Sequence, residues 1–225
     1  MRSIHEKLAD TPRKADKLMA TVKLLWNYGK NELDWPIGDN PVSHIRLYGP
    51  QSQFLPWPEW LVEKVPSAPE KVRAAVELIL GTGQRPGAAI KMKREAFRGT
   101  WVEVIDEKGD EPFEIYCSVR LREYVEGLPR KGAYVLAKNL TQPLGYDAVE
   151  KAFREWRNSL GEEAKKFSLH GLRKLAIIQM AEAGCTDAEI QAVTNQSAET
   201  VAYYRKLASR KILSKNAMER NKNKT

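Results

Sequence analysis

The chain carries the stretch SLHGLRKLAIIQMAEAG at residues 168–184, from which the prediction of the fold starts. Its apolar residues recur at intervals of three and four, which predicts an amphipathic helix over residues 170–183. Gly184 follows directly and is a typical helix-terminating residue. His170 and Arg173 are three positions apart and therefore lie on the same face of this helix. The start of the helix is thus a candidate functional surface.

Further helices are predicted on both sides of this stretch. The same spacing of apolar residues, bounded by glycine, proline and other turn residues, recurs through most of the chain. The predicted segments are residues 12–34, 70–80, 87–93, 119–125, 147–160, 187–193 and 198–207. A mainly helical protein follows.

In one region the spacing of the apolar residues changes from three and four to two. Residues 101–105 and 113–116 alternate apolar and polar side chains, and the polar segment 106–110 lies between them. This pattern predicts a β-hairpin with Lys108 at its tip. The fold class is therefore mainly α with a small β-hairpin or three-stranded sheet (α+β).

Composition indicates the kind of partner. The 225 residues include 37 Lys and Arg against 29 Asp and Glu, a net charge of +8. Such a surplus favours a polyanionic partner, above all nucleic acid. Two cysteines and three scattered histidines make a metal site or disulfide framework unexpected. Without a membrane span or a signal-peptide pattern, we expect a cytoplasmic protein with no membrane partner.

Proline marks the domain boundaries. Five prolines fall within residues 49–69, which predicts an extended linker between a helical segment, 1–48, and a larger domain, 70–212. Trp57 and Trp60 are expected to anchor the linker to a neighbouring surface. The basic residues 213–225 are predicted to form a flexible tail.

Four local features could carry chemistry. They are Arg85 in the turn TGQRPG at residues 82–87, Lys108 on the hairpin, the pair His170 and Arg173, and the pair Tyr203 and Tyr204. Taken alone, each has an ordinary structural explanation, such as a surface ion pair, a solvated turn or a helix cap.

Their order along the chain is informative. The chain contains, in this order, a helix, a Thr-Gly-Gln-Arg turn, a helix, a hairpin with a lysine, a His-x-x-Arg helix and a late tyrosine. Over residues 12–212 this order of elements resembles that of the tyrosine recombinases, or phage integrases. The resemblance is most specific over residues 168–205. It implies the catalytic-domain fold of that family and site-specific DNA cleavage and rejoining through a 3′-phosphotyrosine, as in phage or mobile-element integration. It also implies no metal or nucleotide cofactor, duplex DNA as partner, and tetramers on DNA. Without DNA we expect a monomer.

The resemblance assigns roles to the matching residues. Arg85 and Arg173 would bind the scissile phosphate, which suits two permanently charged, planar guanidinium groups. Lys108 would protonate the leaving 5′-oxygen, and His170 would assist proton transfer. Tyr204 matches the nucleophile better than Tyr203. We expect DNA contacts from further basic residues: Lys91, Lys93, Arg94, Lys174 and Arg205.

The chain departs from the family pattern at three places. Asn195 stands nine positions before Tyr204, where the family has a histidine or tryptophan, and Ala88 replaces a carboxylate three residues after Arg85. Residues 1–48 are shorter than a complete core-binding domain and resemble a remnant of one. These departures favour an alternative function, a weakened integrase that binds DNA without efficient recombination. A third possibility is a helix-turn-helix regulator over residues 170–208, reading bases through Gln191, Asn195, Gln196 and Glu199.

Overall fold

The computed structural model describes residues 1–49, 54–105 and 111–222. The chain divides into two compact units, Met1–Gln53 and Phe54–Thr225. The larger unit therefore begins at Phe54, whereas the proline content had assigned residues 49–69 to a linker.

The first unit is built on two helices, α1 (Arg2–Lys7) and α2 (Pro12–Asn31). The buried His5 ring lies 2.9 Å from a carboxylate oxygen of Asp16, and the same carboxylate accepts hydrogen bonds from the backbone N–H groups of Tyr48 and Gly49. The tyrosine ring stacks on His5 at 4.4 Å. These contacts fix the end of this unit's chain to its two helices.

The second unit contains the remaining helices. In chain order they are α3 (Glu59–Glu63), α4 (Glu70–Thr82), α5 (Pro86–Ile90), α6 (Val119–Gly127), α7 (Tyr146–Ser159), α8 (Leu169–Ala183), α9 (Asp187–Thr194), α10 (Ala198–Arg205) and α11 (Arg210–Lys222). The helices α4 to α10 fall on segments whose apolar spacing of three and four predicted them, whereas α3 and α11 were not among those segments.

The predicted hairpin belongs to a three-stranded antiparallel sheet. Its strands β1 (Phe97–Arg98), β2 (Trp101–Ile105) and β3 (Pro112–Tyr116) lie in the order β1-β2-β3. Val102 pairs with Ile115, and both side chains are buried on the face that packs against the helices. The fold class, mainly α with a small sheet, is confirmed. Lys108, the predicted tip of the hairpin, lies outside the described residues.

The main core explains why the linker prediction is too long. Trp57, Leu61 and Val65 are buried in the same apolar cluster as α4, α7 and the sheet. Trp57 stacks on Phe153 of α7 at 5.4 Å, so its predicted anchoring role matches its position. Residues 54–69 are rich in proline but still contribute large side chains to the core, and they therefore fold with the second unit.

A smaller core lies under the last helices. Ile177 and Ile178 of α8 pack with Ile190 of α9 and Val201 of α10, and Tyr204 and Leu213 lie at its edge. The segment from residue 213 is correspondingly helical as far as Lys222, whereas the sequence predicts a flexible tail. The reason is that Leu213 packs on this core and Asn216 donates a hydrogen bond to the Glu182 carbonyl. None of the helices in the described part of the chain has both the length and the hydropathy needed to span a bilayer.

Candidate active site

The turn that carries Arg85 is formed by glycine and proline. Helix α4 ends at Thr82, and Gly83 adopts left-handed dihedral angles, φ 65° and ψ 12°. Arg85 then caps α5, with Pro86 in the first helical position. A Cβ atom on Gly83 would lie 2.9 Å from Cγ2 of Thr194. The turn is therefore closely packed against the end of α9.

The side chain of Gln84 stabilises the contact between this turn and the end of α9. It is fully buried, and its side-chain nitrogen donates to the carbonyl oxygens of Val193 at 2.7 Å and Thr82 at 3.1 Å. The neighbouring Arg85 is half-buried. The backbone that presents Arg85 is thus tied to residues 193–196, the last two residues of α9 and the first two that follow it, which we call the bracing turn.

The second arginine is tied to the same turn. Arg173 is only 5% exposed, and its Nη2 donates to the Thr194 carbonyl at 2.6 Å. When the Gln196 amide is oriented with its oxygen toward Arg173, that oxygen accepts from Nε at 2.6 Å and from Nη2 at 2.9 Å. Arg173 and Gln84, the residue before Arg85, are therefore bonded to the same four-residue segment.

Asn195 occupies the middle of the bracing turn. Its φ of 49° places it in the left-handed region, where it caps the carboxyl end of α9. Asparagine tolerates this conformation better than most residues other than glycine. The side chain is exposed, and an amide at this position can donate a hydrogen bond but cannot transfer a proton as histidine does.

His170 lies in the first turn of α8 beneath an aromatic neighbour. Its ring stacks on Phe54, with centroids 4.7 Å apart and planes inclined by 16°. Trp57 holds the same segment by donating from its ring nitrogen to the Ser168 carbonyl at 2.7 Å. Gly171 permits this approach, because a Cβ there would lie 2.1 Å from the Leu55 carbonyl oxygen.

The two tyrosines have different environments. Tyr204 is half-buried at the edge of the smaller core, whereas Tyr203 is 49% exposed and contacts Tyr204 edge-on at 5.1 Å. The Nζ of Lys174 lies 4.9 Å from the centroid of the Tyr204 ring. Because Lys174 directly follows Arg173 in α8, this contact brings Tyr204 to the helix that carries His170 and Arg173.

The basic residues that the sequence suggested for DNA contact differ in availability. Lys91 is exposed. Lys93 lies 3.0 Å from Glu95, and this hydrogen bond raises the pKa of Lys93. Arg205 pairs with Asp187 at 2.7 Å. Lys174 donates to the Phe54 carbonyl in addition to covering Tyr204.

Arg94 has a structural position. Its guanidinium donates to three carbonyl oxygens at the end of α6 and just beyond, those of Val125, Leu128 and Pro129, at 2.8–3.2 Å. Burial lowers the pKa of Arg94. These hydrogen bonds cap α6, and we propose this structural role for Arg94 in place of the expected DNA contact.

A groove of about 580 Å³ lies between α5 and the sheet. Ala88 is buried at its wall, and Lys91, Lys93 and Glu103 also line it. Ala88 lies in α5, three residues after Arg85, and contributes no carboxylate there. Within the described ranges, no group of three or more His, Cys, Asp or Glu side chains is arranged to hold a metal ion.

Three site residues were not singled out for these positions from the sequence. Gln84 and Thr194 hold the bracing turn against the Arg85 turn, and Phe54 covers His170. Gln84 lies within the quoted TGQR turn and could have been noticed there. The other two contacts join segments separated by more than a hundred residues, and no local signal predicts them.

Comparisons with known proteins agree with this fold. A sequence model of the phage integrase family matches residues 60–211. The fold is similar to that of a lambda integrase fragment, solved as a dimer bound to a COC' core site, with a TM-score of 0.72 and 19% identity over 90% of this chain and 77% of that chain. No curated protein matches the sequence.

Two further solved structures share the fold. The Tn1549 transposon integrase in complex with circular intermediate DNA has a TM-score of 0.70 and 14% identity over 96% of this chain and 83% of that chain. A lambda integrase tetramer bound to a Holliday junction has a TM-score of 0.71 and 19% identity over 89% of this chain and 62% of that chain. The family match spans most of the chain and includes both arginines, the histidine and the tyrosines described above. The chain belongs to the phage integrase family, the tyrosine recombinases.

Proposed function

We propose that this protein is a site-specific recombinase that cleaves and rejoins duplex DNA through a covalent bond between Tyr204 and a 3′-phosphate. Family membership and fold support recombination in general. The observation that carries the specific proposal is the bracing turn, which contacts the elements of both Arg85 and Arg173. Lys174 meanwhile brings the Tyr204 ring to the same helix.

The two arginines would stabilise the transition state. Attack on a phosphodiester develops additional negative charge on the non-bridging oxygens, and guanidinium groups bind such oxygens in pairs without ever losing their charge. Fixed positive groups are most effective when they need not reorganise during the reaction. The hydrogen bonds that hold Arg173 meet this requirement.

The covalent step is balanced without a cofactor. The phenolic oxygen of Tyr204 forms a bond to phosphorus while the bond to the 5′-oxygen breaks, and the electron pair leaves with that oxygen. The phenol loses its proton, for which His170 is the candidate acceptor, and the 5′-oxygen gains one, for which Lys108 is the candidate donor. Attack by a 5′-hydroxyl of the partner strand reverses these steps and rejoins the DNA.

The assembly on DNA is part of the proposal. A lambda integrase tetramer has been seen on a Holliday junction, and other similar structures hold DNA. We infer that four copies of this chain act on paired duplexes in the cytoplasm, and that a single copy is the form without DNA. Lys91, Lys93, Lys174 and Arg205 remain candidate phosphate contacts.

A second candidate function is favoured by two positions. Asn195 cannot exchange protons, and Ala88 supplies no carboxylate beside Arg85. A protein with these substitutions could occupy recombination sites and cleave them poorly. It would then act as a DNA-binding relative that blocks recombination rather than completing it.

The deciding experiment traps the covalent intermediate. A duplex selected for tight binding from a random pool is nicked near its centre, so that cleavage releases a short fragment and cannot be reversed. We expect a protein–DNA adduct on a denaturing gel from the wild type and from Tyr203→Phe, and none from Tyr204→Phe. Salt-sensitive binding without any adduct would support the second function.

A further inference from the structure

We infer that Gln196 is a positioning residue that holds the Arg173 guanidinium in the orientation needed to receive the scissile phosphate. This inference rests on the proposed function. Its basis is geometric: with the amide turned so that its oxygen faces Arg173, the orientation that pairs donors with acceptors, the oxygen of Gln196 accepts from both Nε and Nη2 of Arg173, at 2.6 and 2.9 Å. Two donors on one acceptor fix the guanidinium plane, which a single bond would leave free to rotate.

The surroundings make this bond important. Arg173 is only 5% exposed, so its charge has little contact with water. A buried charge needs hydrogen-bond partners, and losing one is costly. Thr194 contributes a backbone carbonyl, which no side-chain substitution removes. Of the two partners of Arg173 in the bracing turn, Gln196 is therefore the one that a substitution can change.

The chemistry of the acceptor is suited to the task. A carboxylate at position 196 would pair with Arg173 more strongly but would neutralise part of the charge intended for phosphate. A neutral amide aligns the guanidinium and leaves its full positive charge available. Gln196 thus differs from Asn195, whose exposed amide lies one residue earlier in the same turn.

The test separates alignment from binding and folding. Gln196→Met keeps the length of the side chain but removes the acceptor. Gln179→Met is the matched control, because Gln179 is exposed on α8 and has no part in the proposed DNA binding or catalysis. We expect Gln196→Met to bind the selected duplex within about twofold of wild type and to form the covalent adduct about 10- to 100-fold more slowly, the usual effect of losing an orienting partner. The control should cleave at the wild-type rate.

A double-mutant cycle then asks whether Gln196 acts through Arg173. In an Arg173→Lys background the donors at Nε and Nη2 are gone, so adding Gln196→Met should slow adduct formation by less than about twofold. A wild-type rate for Gln196→Met, or the same loss in both backgrounds, would overturn the positioning role while leaving the proposed function intact. Absence of an adduct from the wild-type protein would overturn the proposed function and the positioning role together.

Discussion

Substitution of Gly83 by alanine tests how tightly the Arg85 turn depends on the bracing turn. Gly83 has φ 65°, and its added Cβ would lie 2.9 Å from Cγ2 of Thr194. Alanine in left-handed backbone costs roughly 1–2 kcal/mol. Overpacking of a buried contact adds typically about 1–3 kcal/mol. We therefore expect Gly83→Ala to lower the free energy of unfolding by about 2–5 kcal/mol.

Gly99 offers a control for the backbone term. It has a similar φ of 59°, but its Cβ would meet no atom within 4 Å. Gly99→Ala should therefore lower the free energy of unfolding by only about 1–2 kcal/mol. The difference between the two variants isolates the contact with Thr194.

Thr194→Ser identifies the contacting atom. Removing the methyl group of Thr194 costs about 1 kcal/mol by itself, but it makes room for the new Cβ. In that background Gly83→Ala should cost no more than Gly99→Ala does. Urea denaturation of the four variants and wild type measures these differences, and the adduct assay reports whether Arg85 has moved. Equal losses for Gly83→Ala and Gly99→Ala, with no effect of Thr194→Ser, would refute the close packing of the two turns.

Three further predictions concern other parts of the molecule. Arg94→Met should lower the free energy of unfolding by about 2–4 kcal/mol, since three carbonyls lose a charged donor, and should leave the salt dependence of DNA binding unchanged. Lys91→Ala should leave the free energy of unfolding unchanged and should reduce the slope of log K against log salt by about 1. The hydrogen bond from His5 is the largest cause that lowers the pKa of Asp16, so this carboxylate stabilises the first unit above its ordinary pKa of 3.8 and loses that effect as the pH falls through the lower folded value. Wild type should accordingly be more stable in urea than Asp16→Asn at pH 7, and this difference in stability should close below pH 4. The control Asp10→Asn, at an exposed site, should be as stable as wild type at both pH values. A difference between wild type and Asp16→Asn that does not depend on pH would contradict this. Cys117 is 1% exposed, and burial raises its pKa, so its thiol should react slowly. A maleimide should therefore label only Cys185 in the native protein. Rapid labelling of the Cys185→Ser variant would show instead that Cys117 is accessible.

The helices and the sheet could be predicted because their signals are local. The helix from residue 170 to 183 is observed as Leu169–Ala183, and the strand from 101 to 105 is observed with those bounds. Apolar periodicity reports which side of an element is buried, and it acts within a few residues. Proline content and charge predicted a linker over residues 49–69 and a flexible tail from residue 213, but these features describe the backbone and the solvent-facing side chains. They do not reveal that Trp57 and Leu213 find apolar partners in distant elements.

The sequence by itself determined the class of the protein and its candidate chemistry. The order of the TGQR turn, the hairpin, the His-x-x-Arg helix and the late tyrosine is a property of the chain, and residue types such as arginine and tyrosine limit what each position can do. Only the tertiary structure decided which basic residues are available. It placed Arg94 on the end of α6, Lys174 over Tyr204, and Gln196 on Arg173. The physical reason is that these hydrogen bonds and ring contacts join segments distant in sequence, and their partners are chosen by the packing of the core rather than by their neighbours in the chain.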